Sequence, residues 1–282
     1  MIEGIQPRTA EELLDHLTIV VVTHNSKPDL KHSLPGLYEA ADRHGLDIVM
    51  VDNASQDSTR QLLSGEADES RIRYVQMGRN TGYATAVNAG FEAAGTDNVL
   101  LLNPDIELPD PGVVEQLCAR MAQTPYAGIV APRLVGLDGA RQPSARRDAS
   151  LAAMLGSIEM TSGMLSFADV YDRYLKPTNG RSEVQSVDWV IGAAMLIRRD
   201  AYESIGGWDN GFFLYMEDAD FCRRLRLNGW TVTIDPEIEI RHAYRRSSSA
   251  HDASVLSSRL RRAHYRSLAR YWRKHPALLL RR

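Results

Sequence analysis

Short apolar runs alternate with segments of helical spacing through the N-terminal third of the chain. Val, Ile and Leu dominate four of these runs, which predicts buried strands at 18–23, 47–51, 72–76 and 98–102. The segments between them predict helices at 29–44, 55–63 and 83–94, the last ending at Gly95. Strands that alternate with helices indicate a doubly wound α/β sheet whose strands are mostly parallel.

The pattern continues less regularly after Pro111. Apolar spacing predicts a helix to about residue 123, strands at 129–134 and 231–234, a strand–turn–strand unit at 187–198, and helices at 217–227 and from Val255 onward. Residues 137–148 are polar and rich in turn formers, which indicates a loop, whereas 151–176 has only weak helical character.

Composition and run length favour a globular protein outside the membrane. Of the 282 residues, 44% are hydrophobic and 24% are charged, which is the balance of ordinary globular domains. No apolar run approaches the roughly 20 residues needed to cross a bilayer, and the polar N-terminus lacks the apolar core of a secretion signal. These features predict a cytoplasmic location, with Cys118 and Cys222 as reduced core residues.

Charge is divided unevenly along the chain. Residues 259–282 contain nine Lys and Arg but no Asp or Glu, which leaves 24 basic and 36 acidic residues, a net charge of −12, in the rest. Tyr265, Tyr271, Trp272 and the run Leu278–Leu280 lie among these cations. Such a tail suits an anionic membrane surface, and the alternative is a helix that packs its own apolar side. Nucleic acid is not an expected partner, because the body is acidic and lacks a recognition motif.

Polar residues follow three of the first four predicted strands. They are Thr23-His24-Asn25, Asp52-Asn53 and Asn103-Pro104-Asp105. Ligands of an open parallel sheet bind beyond the carboxyl ends of its strands, so these residues are expected to line one crevice. An acidic motif there can hold a divalent cation against a diphosphate. Taken alone, the third motif is better explained as a Pro-Asp turn.

Several common nucleotide and metal motifs are absent from the sequence. The segment Gly78–Gly82 does not match GxGxxG, and no GxxxxGK[ST] is present. The histidines and cysteines show no zinc spacing. A nucleotidyltransferase is disfavoured, because the loop after the first strand, THNSKPDL, is not a glycine-rich basic loop.

Six segments together resemble the family-two glycosyltransferases of the GT-A fold. In chain order they read TIVVVTHN, IVMVDNASQDST, GRNTGYATAVNAGF, LLNPDIEL, VIGAAMLIRRDAYESIGGWD and FFLYMEDADFCRRLRLNGW. They cover most of residues 18–242, and their order and spacing make the set specific although each segment alone is weak. RNTGYATAVN, NPD, YMEDAD and the PSAR of residues 143–146 resemble most the rhamnosyltransferase-like enzymes of bacterial surface glycans.

The resemblance implies a donor site in the first half of the chain. Thr23 and Asn25 would line the nucleotide pocket, and Asp52 would hydrogen-bond a pyrimidine base. The remaining donor contacts would be Asn53, Arg79, Asn80, Gly82 and Asn103, with Arg79 beside the diphosphate or ribose.

The resemblance also implies a site for Mg²⁺ or Mn²⁺. Asn103-Pro104-Asp105 matches the Asp-x-Asp motif of the family, but an amide replaces the first carboxylate, so Asp105 becomes the main metal ligand. The missing negative charge weakens the expected metal affinity. His242 matches a second ligand found in some relatives, and it is equally compatible with an ordinary loop histidine.

Asp218 in the segment YMEDAD aligns with the family's catalytic base. A carboxylate at the start of a helix is expected to stay ionised and to accept the proton of an acceptor hydroxyl. The acceptor site would include Glu217, Trp189 and Trp208. Without the expected crevice, the acidic residues would be better explained as a stabilising helix start, and the crevice favours catalysis instead. The two tryptophans can equally belong to the core.

These implications describe a metal-dependent, inverting glycosyltransferase. The donor would be a dTDP-sugar, most simply dTDP-rhamnose, and the acceptor a saccharide or polyprenyl-linked glycan of the cell surface, reached from the inner face of the membrane. A UDP-hexose donor and a non-catalytic nucleotide-sugar-binding relative remain as alternatives. The implied domains are an extension at 1–17, a catalytic domain at 18–246 with a nucleotide-binding half (18–110) and an acceptor-binding half (111–246), and a basic helical tail at 247–282.

Overall fold

A computed structural model describes residues 7–63, 71–156, 174–175, 183–243 and 255–280. Within these ranges the helices of four or more residues are α1 (Ala10–Asp15), α2 (Lys27–His44), α3 (Thr59–Leu63), α4 (Tyr83–Ala94), α5 (Val113–Gln123), α6 (Leu151–Gly156), α7 (Arg199–Ser204), α8 (Glu217–Leu227) and α9 (Val255–Lys274), followed by a 3₁₀ turn at Pro276–Leu279. The strands are β1 (Leu17–Thr23), β2 (Asp47–Asp52), β3 (Ile72–Gln76), β4 (Asn98–Leu102), β5 (Ile106–Glu107), β6 (Ala127–Val135), β7 (Ala145–Arg146), β8 (Gln185–Ser186), β9 (Trp189–Val190), β10 (Ala194–Arg198) and β11 (Thr231–His242).

Most of the strands belong to one mixed sheet. In the described residues it has nine strands, in the order β3-β2-β1-β4-β10-β6-β11-β5, with β8 also paired to β11. β1, β2, β3, β4, β6 and β11 share one direction, whereas β10 runs antiparallel between β4 and β6. β7 and β9 form a separate ribbon. The prediction of a mostly parallel α/β sheet is confirmed, and the antiparallel insertion of β10 is an addition to it.

Burial on both faces explains the apolar strand sequences. Every residue of β1 and β4 is buried. Val20 and Val22 of β1 belong to the core layer that contains Phe91 of α4. Ile19 and Val21 belong to the opposite layer, together with apolar residues of α2 and α5. Strands covered on both sides need apolar residues at every position, so an uninterrupted run predicts them correctly.

Helix boundaries follow local capping in most places. The helices predicted at 83–94 and 217–227 match α4 and α8, and Gly95 ends α4 in the left-handed conformation. The helix predicted at 55–63 begins only at Thr59. Residues 55–57 form a turn instead, because their backbone N–H groups donate to the side chains of Asp52 and Asn25.

β11 is longer than the sequence pattern predicts. The expected strand at 231–234 continues to His242 after a register irregularity between Asp235 and Glu239. Its far end pairs with β5, which places His242 opposite Ile106. The extension therefore carries a histidine from the second half of the chain to the end of β4.

The N-terminal segment is packed onto the body. Thr9 and Glu12 form a reciprocal capping box at the start of α1, an arrangement that satisfies two helix donors at once. Leu13 is fully buried. Residues 7–16 thus add a helix to the sheet layer before β1 begins.

The basic C-terminal helix is docked against the body. Tyr271 is fully buried, and the indole Nε1 of Trp272 donates to the carbonyl of Ala149 at 2.9 Å. Arg270 and Lys274 form ion pairs with Asp209 at 2.7 and 2.6 Å. The helix predicted from Val255 is confirmed. One side of it packs against the body, as expected from the alternative in which the tail is a helix that buries its own apolar side.

Some expectations fall outside the described residues. The weak helical prediction at 151–176 is met by α6 at its start, whereas 157–173 and the link at Ser247–Ser249 are not described. Cys118 and Cys222 are both buried and free, as predicted. In the described part of the chain, no helix is long and apolar enough to cross a membrane.

Candidate active site

The polar residues that follow β1, β2 and β4 lie together at one edge of the sheet. The backbone N–H of Asn53 donates to the carbonyl of Thr23 at 2.8 Å. The N–H of Asn103 donates to the carbonyl of Ala193, just before β10, at the same distance. The ends of these strands therefore lie side by side, as predicted, and the start of β10 lies next to the end of β4.

Asn53 organises the loop before α4. Its Nδ2 donates to the carbonyl of Gly82 and to Oδ1 of Asn80, both at 3.2 Å. Its Oδ1 accepts from the backbone N–H of Thr81 at 2.9 Å. With these bonds the buried amide positions the loop that carries Arg79, whose own side chain is exposed.

Asn25 positions the neighbouring loop in a similar way. It has a left-handed backbone with φ of 54°, which asparagine tolerates better than most residues. Its Oδ1 accepts from the backbone N–H groups of Gln56 and Asp57 at 2.7 and 3.3 Å. Nδ1 of His24, which the sequence reasoning did not single out, contacts the carbonyl of Asn53 at 2.9 Å.

Asp52 lies at the floor of the crevice beside Thr23. It is 1% exposed, and it accepts from the N–H of Ser55 at 2.8 Å and from the hydroxyl of Tyr74 at 2.6 Å. Burial and this carboxylate raise the pKa of Tyr74 above its ordinary value. A carboxylate has about four lone-pair positions, so Asp52 retains capacity for a further donor. The buried Oγ1 of Thr23 has no partner among the described residues.

Gly82 joins the donor-side loop to the loop before α8. Its φ of 87° favours glycine, and a Cβ there would lie 2.5 Å from the carbonyl oxygen of Phe213. The backbone N–H of Tyr83 donates to that same oxygen at 2.8 Å. Only glycine allows these two backbones to approach so closely.

Tyr83 stands at the centre of the site, and the sequence reasoning missed it. Its hydroxyl lies 3.1 Å from Oδ1 of Asn103 and 2.8 Å from the carbonyl of Gly192. Burial and the charges of Glu217, Asp218 and Asp105 raise its pKa well above the ordinary value. The residue is therefore near enough to both Asp105 and the acidic pair of α8 for their charges to act on it. An aromatic residue directly after Gly82, at the start of a helix, was the available signal.

Asp105 and His242 form a paired set of potential metal ligands. Oδ2 of Asp105 lies 3.3 Å from Nε2 of His242. Gln142 donates from Nε2 to the carbonyl of His242 at 3.0 Å, which turns its Oε1 toward the ring Nδ1 at 2.7 Å. Because Oε1 can only accept, Nδ1 carries a proton, and the ring presents Nε2 toward Asp105.

The protein supplies few ligands beyond this pair. Among the described residues, no group of three or more His, Cys, Asp or Glu side chains is arranged to hold a metal ion. The donor set is one carboxylate oxygen and one imidazole nitrogen, which suits a divalent cation that keeps waters and substrate phosphates in its shell. The amide of Asn103 is engaged by Tyr83 instead.

Asp218 is half-buried at the start of α8. Its Oδ2 accepts from the N–H of Gly192 at 3.1 Å, and its Oδ1 accepts from the N–H of Ala219 at 2.8 Å. Burial raises the pKa of Asp218, and the two N–H donors and the charge of Arg146 act in the opposite direction. Desolvation outweighs these favourable contacts, so Asp218 binds a proton more strongly than an ordinary aspartate does.

Glu217 has no comparable support. It is buried, and its Oε2 has no hydrogen-bond partner in the described part of the chain. Burial, followed by the neighbouring Asp218, raises its pKa well above the ordinary value. Of the two adjacent carboxyls, Glu217 is therefore the one that more readily holds a proton, since only its own backbone N–H opposes the effect of burial.

The two tryptophans expected at the acceptor site are core residues. Trp189 is 3% exposed and Trp208 is 2% exposed. The ring of Trp208 stacks on Phe221 with centroids 4.5 Å apart, and Nε1 of Trp189 donates to the carbonyl of Arg147. Their buried rings are not available to stack on a sugar, so this expectation is corrected in favour of the core interpretation.

The loop before Asp218 is strained and is held by the C-terminal helix. Tyr215 and Met216 have φ of 68° and 65°, values that are uncommon for residues with side chains. Oγ of Ser267 in α9 donates to the carbonyl of Leu214 at 2.8 Å. The ring of His264, also in α9, lies 5.1 Å from the ring of Tyr215.

Comparison with known protein families gives one match. The model for glycosyl transferase family 2 matches residues 18–206, which include the ends of β1, β2 and β4, Asp105 and all of α7. The region that carries Asp218 and His242 follows this match.

Named relatives extend the similarity over most of the chain. The N-acetylglucosaminyl-diphospho-decaprenol L-rhamnosyltransferase of Mycobacterium tuberculosis is 30% identical over 266 residues, which are 90% of this chain and 83% of the relative. The rhamnosyltransferase WbbL of Escherichia coli strain K12 is 26% identical, and the aligned region covers 90% of this chain and 91% of WbbL.

Solved structures share the fold at low sequence identity. A mannosyltransferase of Pyrobaculum calidifontis, solved with GDP-Man and Mn²⁺, has a TM-score of 0.60 and 20% identity over 92% of this chain and 64% of its own. GalNAc-T7, solved with UDP, GalNAc and Mn²⁺, has a TM-score of 0.59 and 14% identity over 81% of this chain and 44% of its own. The present chain spans less than two thirds of the length of either neighbour. The similarity of the structures confirms the predicted GT-A fold.

Proposed function

The chain belongs to glycosyl transferase family 2, and from that premise we propose that it transfers rhamnose from dTDP-rhamnose to a saccharide carried on a polyprenyl diphosphate. The observation that carries this proposal is the 30% identity, over 90% of the chain, to a rhamnosyltransferase whose name specifies such an acceptor. Membership of the family makes the protein a glycosyltransferase. The donor sugar, the metal and the stereochemistry are the proposed parts.

The donor diphosphate is proposed to bind at Asp105 and His242 with Mg²⁺ or Mn²⁺. The fixed tautomer of His242 and its 3.3 Å distance from Asp105 support this assignment. When bound, the cation would neutralise negative charge on the departing nucleoside diphosphate. The nucleotide would occupy the crevice beside Thr23, whose unpartnered hydroxyl is available to it, and Asp52, with the exposed Arg79 at its rim.

Asp218 is proposed to act as the catalytic base. It would take the proton of an acceptor hydroxyl while that oxygen attacks the anomeric carbon from the side opposite the departing diphosphate, so the configuration inverts. The raised pKa of Asp218 supports this role, because a base with a higher pKa binds the proton more strongly. Glu217 would remain protonated beside it and so would add no second negative charge.

The exposed face of α9 is proposed to contact an anionic membrane surface. Arg262, Arg266 and Arg273 are exposed on this helix, and so is 64% of Tyr265. Leu280, 89% exposed, follows the helix. Exposed cations beside aromatic and apolar side chains suit the interface of a bilayer with negative headgroups. This location would bring the protein to an acceptor that is anchored in lipid.

Calorimetric titration with dTDP and with UDP, each with Mn²⁺ or with a chelator, tests the donor site. Wild type is expected to bind one nucleotide at least about tenfold more tightly with Mn²⁺, and Asp105→Asn is expected to lose that gain. Glu239→Gln, which removes an exposed carboxylate from the same strand as His242, is the matched control and should keep it. Absence of binding under every condition would contradict the proposed donor site.

Transfer itself is measured with the matching nucleotide sugar and a lipid-diphosphate acceptor. Asp218→Asn should lower kcat by at least about 100-fold, because the amide cannot accept the hydroxyl proton. The product should carry the anomeric configuration opposite to that of the donor, as read by NMR. A product with retained configuration would overturn the single-displacement mechanism.

A further inference from the structure

Arg146 lies beside the catalytic end of α8 without being part of the proposed mechanism. It ends β7, which pairs with β9 so that Arg146 stands opposite Trp189. Its guanidinium carbon is 5.1 Å from the ring centroid of Trp189 and 5.9 Å from that of Tyr174. A guanidinium held over two aromatic rings is fixed in orientation, and its N–H groups point outward from its edge.

In the described part of the chain, the charge of Arg146 is not paired with a carboxylate, in contrast to the charges of other arginines in this part of the structure. Arg223 and Arg226 both bind Asp148 at 2.6 Å, and Arg270 binds Asp209 at 2.7 Å. Within the described ranges, no carboxylate forms an ion pair with Arg146. The hydrogen bond that its side chain makes there is donated from Nε to the carbonyl of Pro143 at 3.2 Å. Its terminal N–H groups therefore remain available to an anion.

The position of this cation corresponds to the acceptor side of the site. β9, which pairs with the strand of Arg146, is followed closely by Gly192, whose backbone N–H donates to Oδ2 of Asp218 at 3.1 Å. Burial raises the pKa of Asp218, and the charge of Arg146 is one of the influences that oppose this rise. Arg146 is thus tied to the segment that binds Asp218, whereas Asp105 and His242 lie where β5 pairs with β11.

We propose that Arg146 binds a phosphate group of the acceptor while the acceptor hydroxyl lies at Asp218. This inference rests on the proposed function, because it assumes that an acceptor sugar is the group at Asp218. A neutral saccharide would give no reason to hold an uncompensated guanidinium here, whereas a phosphate matches its planar fork with two parallel hydrogen bonds. Arg146 thereby selects phosphate-linked sugars over neutral glycosides.

The test compares two acceptors that differ only in phosphate. One is an alkyl N-acetylglucosaminyl diphosphate, and the other is the alkyl N-acetylglucosaminide of the same chain length. In Arg146→Gln, the ratio of kcat/KM for the diphosphate to that for the glycoside should fall about 10- to 100-fold, chiefly through KM. Arg147→Gln removes an equal charge from an exposed neighbour and should leave the ratio unchanged. Arg146→Lys, which keeps the charge without the fork, should give an intermediate ratio.

Three results would overturn the inference. An unchanged ratio in Arg146→Gln means that the residue does not read phosphate. An equal loss with both acceptors, accompanied by a shift of the acid limb of the pH profile, means that Arg146 acts only through Asp218. Calorimetry with decyl diphosphate needs no turnover. Equal binding by wild type and Arg146→Gln would mean that the residue does not bind phosphate. Failure of wild type with both acceptors contradicts the proposed function instead, and the calorimetry then still decides the role of Arg146.

Discussion

Glu217 and Asp218 are adjacent carboxyls with different surroundings. Asp218 receives two backbone N–H donors and the field of Arg146, whereas Glu217 is buried with an unpartnered oxygen. Neighbouring carboxyls tend not to ionise together when they are desolvated, and the better-solvated one ionises first. The pair therefore consists of a protonated Glu217 and an Asp218 that is free to act as a base.

This difference predicts how Glu217→Gln changes stability with pH. The pKa of Glu217 is raised in the folded protein, so its contribution to stability is full below its unfolded value and is lost as pH rises through the folded value. The isosteric amide lacks this dependence. The free energy of unfolding of the variant, relative to wild type, should thus increase between pH 5 and pH 8 in denaturant titrations. A difference that stays constant would show that Glu217 is ionised in the folded state.

Several site residues could not have been found from local sequence. Gln142 lies 100 positions before His242 in the chain, and two hydrogen bonds from Gln142 fix the orientation of the His242 ring. Tyr74 reaches Asp52 from the next strand. Neither residue type nor spacing marks such partners, because their proximity arises only when the sheet forms. Asp105, Asp218 and Gly82 were identifiable because each lies in a short motif.

Helix α9 packs against the loop that precedes α8 and holds it in place. It contacts the loop through Ser267 and His264 and binds Asp209 through Arg270 and Lys274. Asp220 of α8 is bound by Lys274 and His275 at 2.8 and 2.9 Å. These contacts hold α8 against the C-terminal helix, so α9 is a structural part of the proposed active site.

Asp209→Asn is predicted to loosen this attachment. The hydrogen bonds and charges of Lys274 and Arg270 hold the pKa of Asp209 well below its ordinary value although burial opposes them. The contribution is therefore present above the unfolded pKa and is lost as pH falls through the folded one. At pH 7 the variant should lose about 1–3 kcal/mol of stability, and its deficit should shrink below pH 4.

The control for that change is Asp47→Asn, which alters an exposed carboxylate at the start of β2. Its free energy of unfolding should stay within about 0.5 kcal/mol of wild type. Equal stability of Asp209→Asn and wild type at pH 7 would contradict a stabilising role for the ion pairs.

Elements with strong local patterns were predictable, and those defined by distant pairing were not. The apolar run of β1 and the capped segment of α4 follow from residues within each element. The antiparallel insertion of β10 depends on pairing with β4 and β6. The extension of β11 to His242 likewise depends on β6 and β5. Periodicity gives the existence of a strand but not its neighbours.

At the scale of the whole molecule, an acidic body carries a cationic outer face. The rest of the chain has a net charge of −12 against the nine basic residues of 259–282. Arg270 and Lys274 are neutralised by the body, whereas Arg262 and Arg266 face solvent. Vesicles with anionic lipid should therefore bind the protein by this face, and the interaction should weaken with salt.

Sedimentation with vesicles measures that interaction. Reversing both charges in Arg262→Glu/Arg266→Glu should weaken binding to anionic vesicles by at least about tenfold, since each cation near the surface contributes about 1 kcal/mol. Lys31→Glu/Arg43→Glu makes the same change in charge on α2 and should bind like wild type. Equal binding of the two double variants would reject α9 as the membrane-facing element.

The central place of β10 has a consequence for how the molecule assembles. β4 and β6 follow each other closely along the chain, yet they never touch in the sheet, because β10 lies between them and is reached only after residues 136–193. Until that strand arrives, the sheet must stay divided by a gap one strand wide, with unpaired edges on both sides. Pairing of such distant segments slows folding and exposes those edges to other chains. The enzyme should thus be most prone to aggregation after β6 has formed and before β10 closes the sheet.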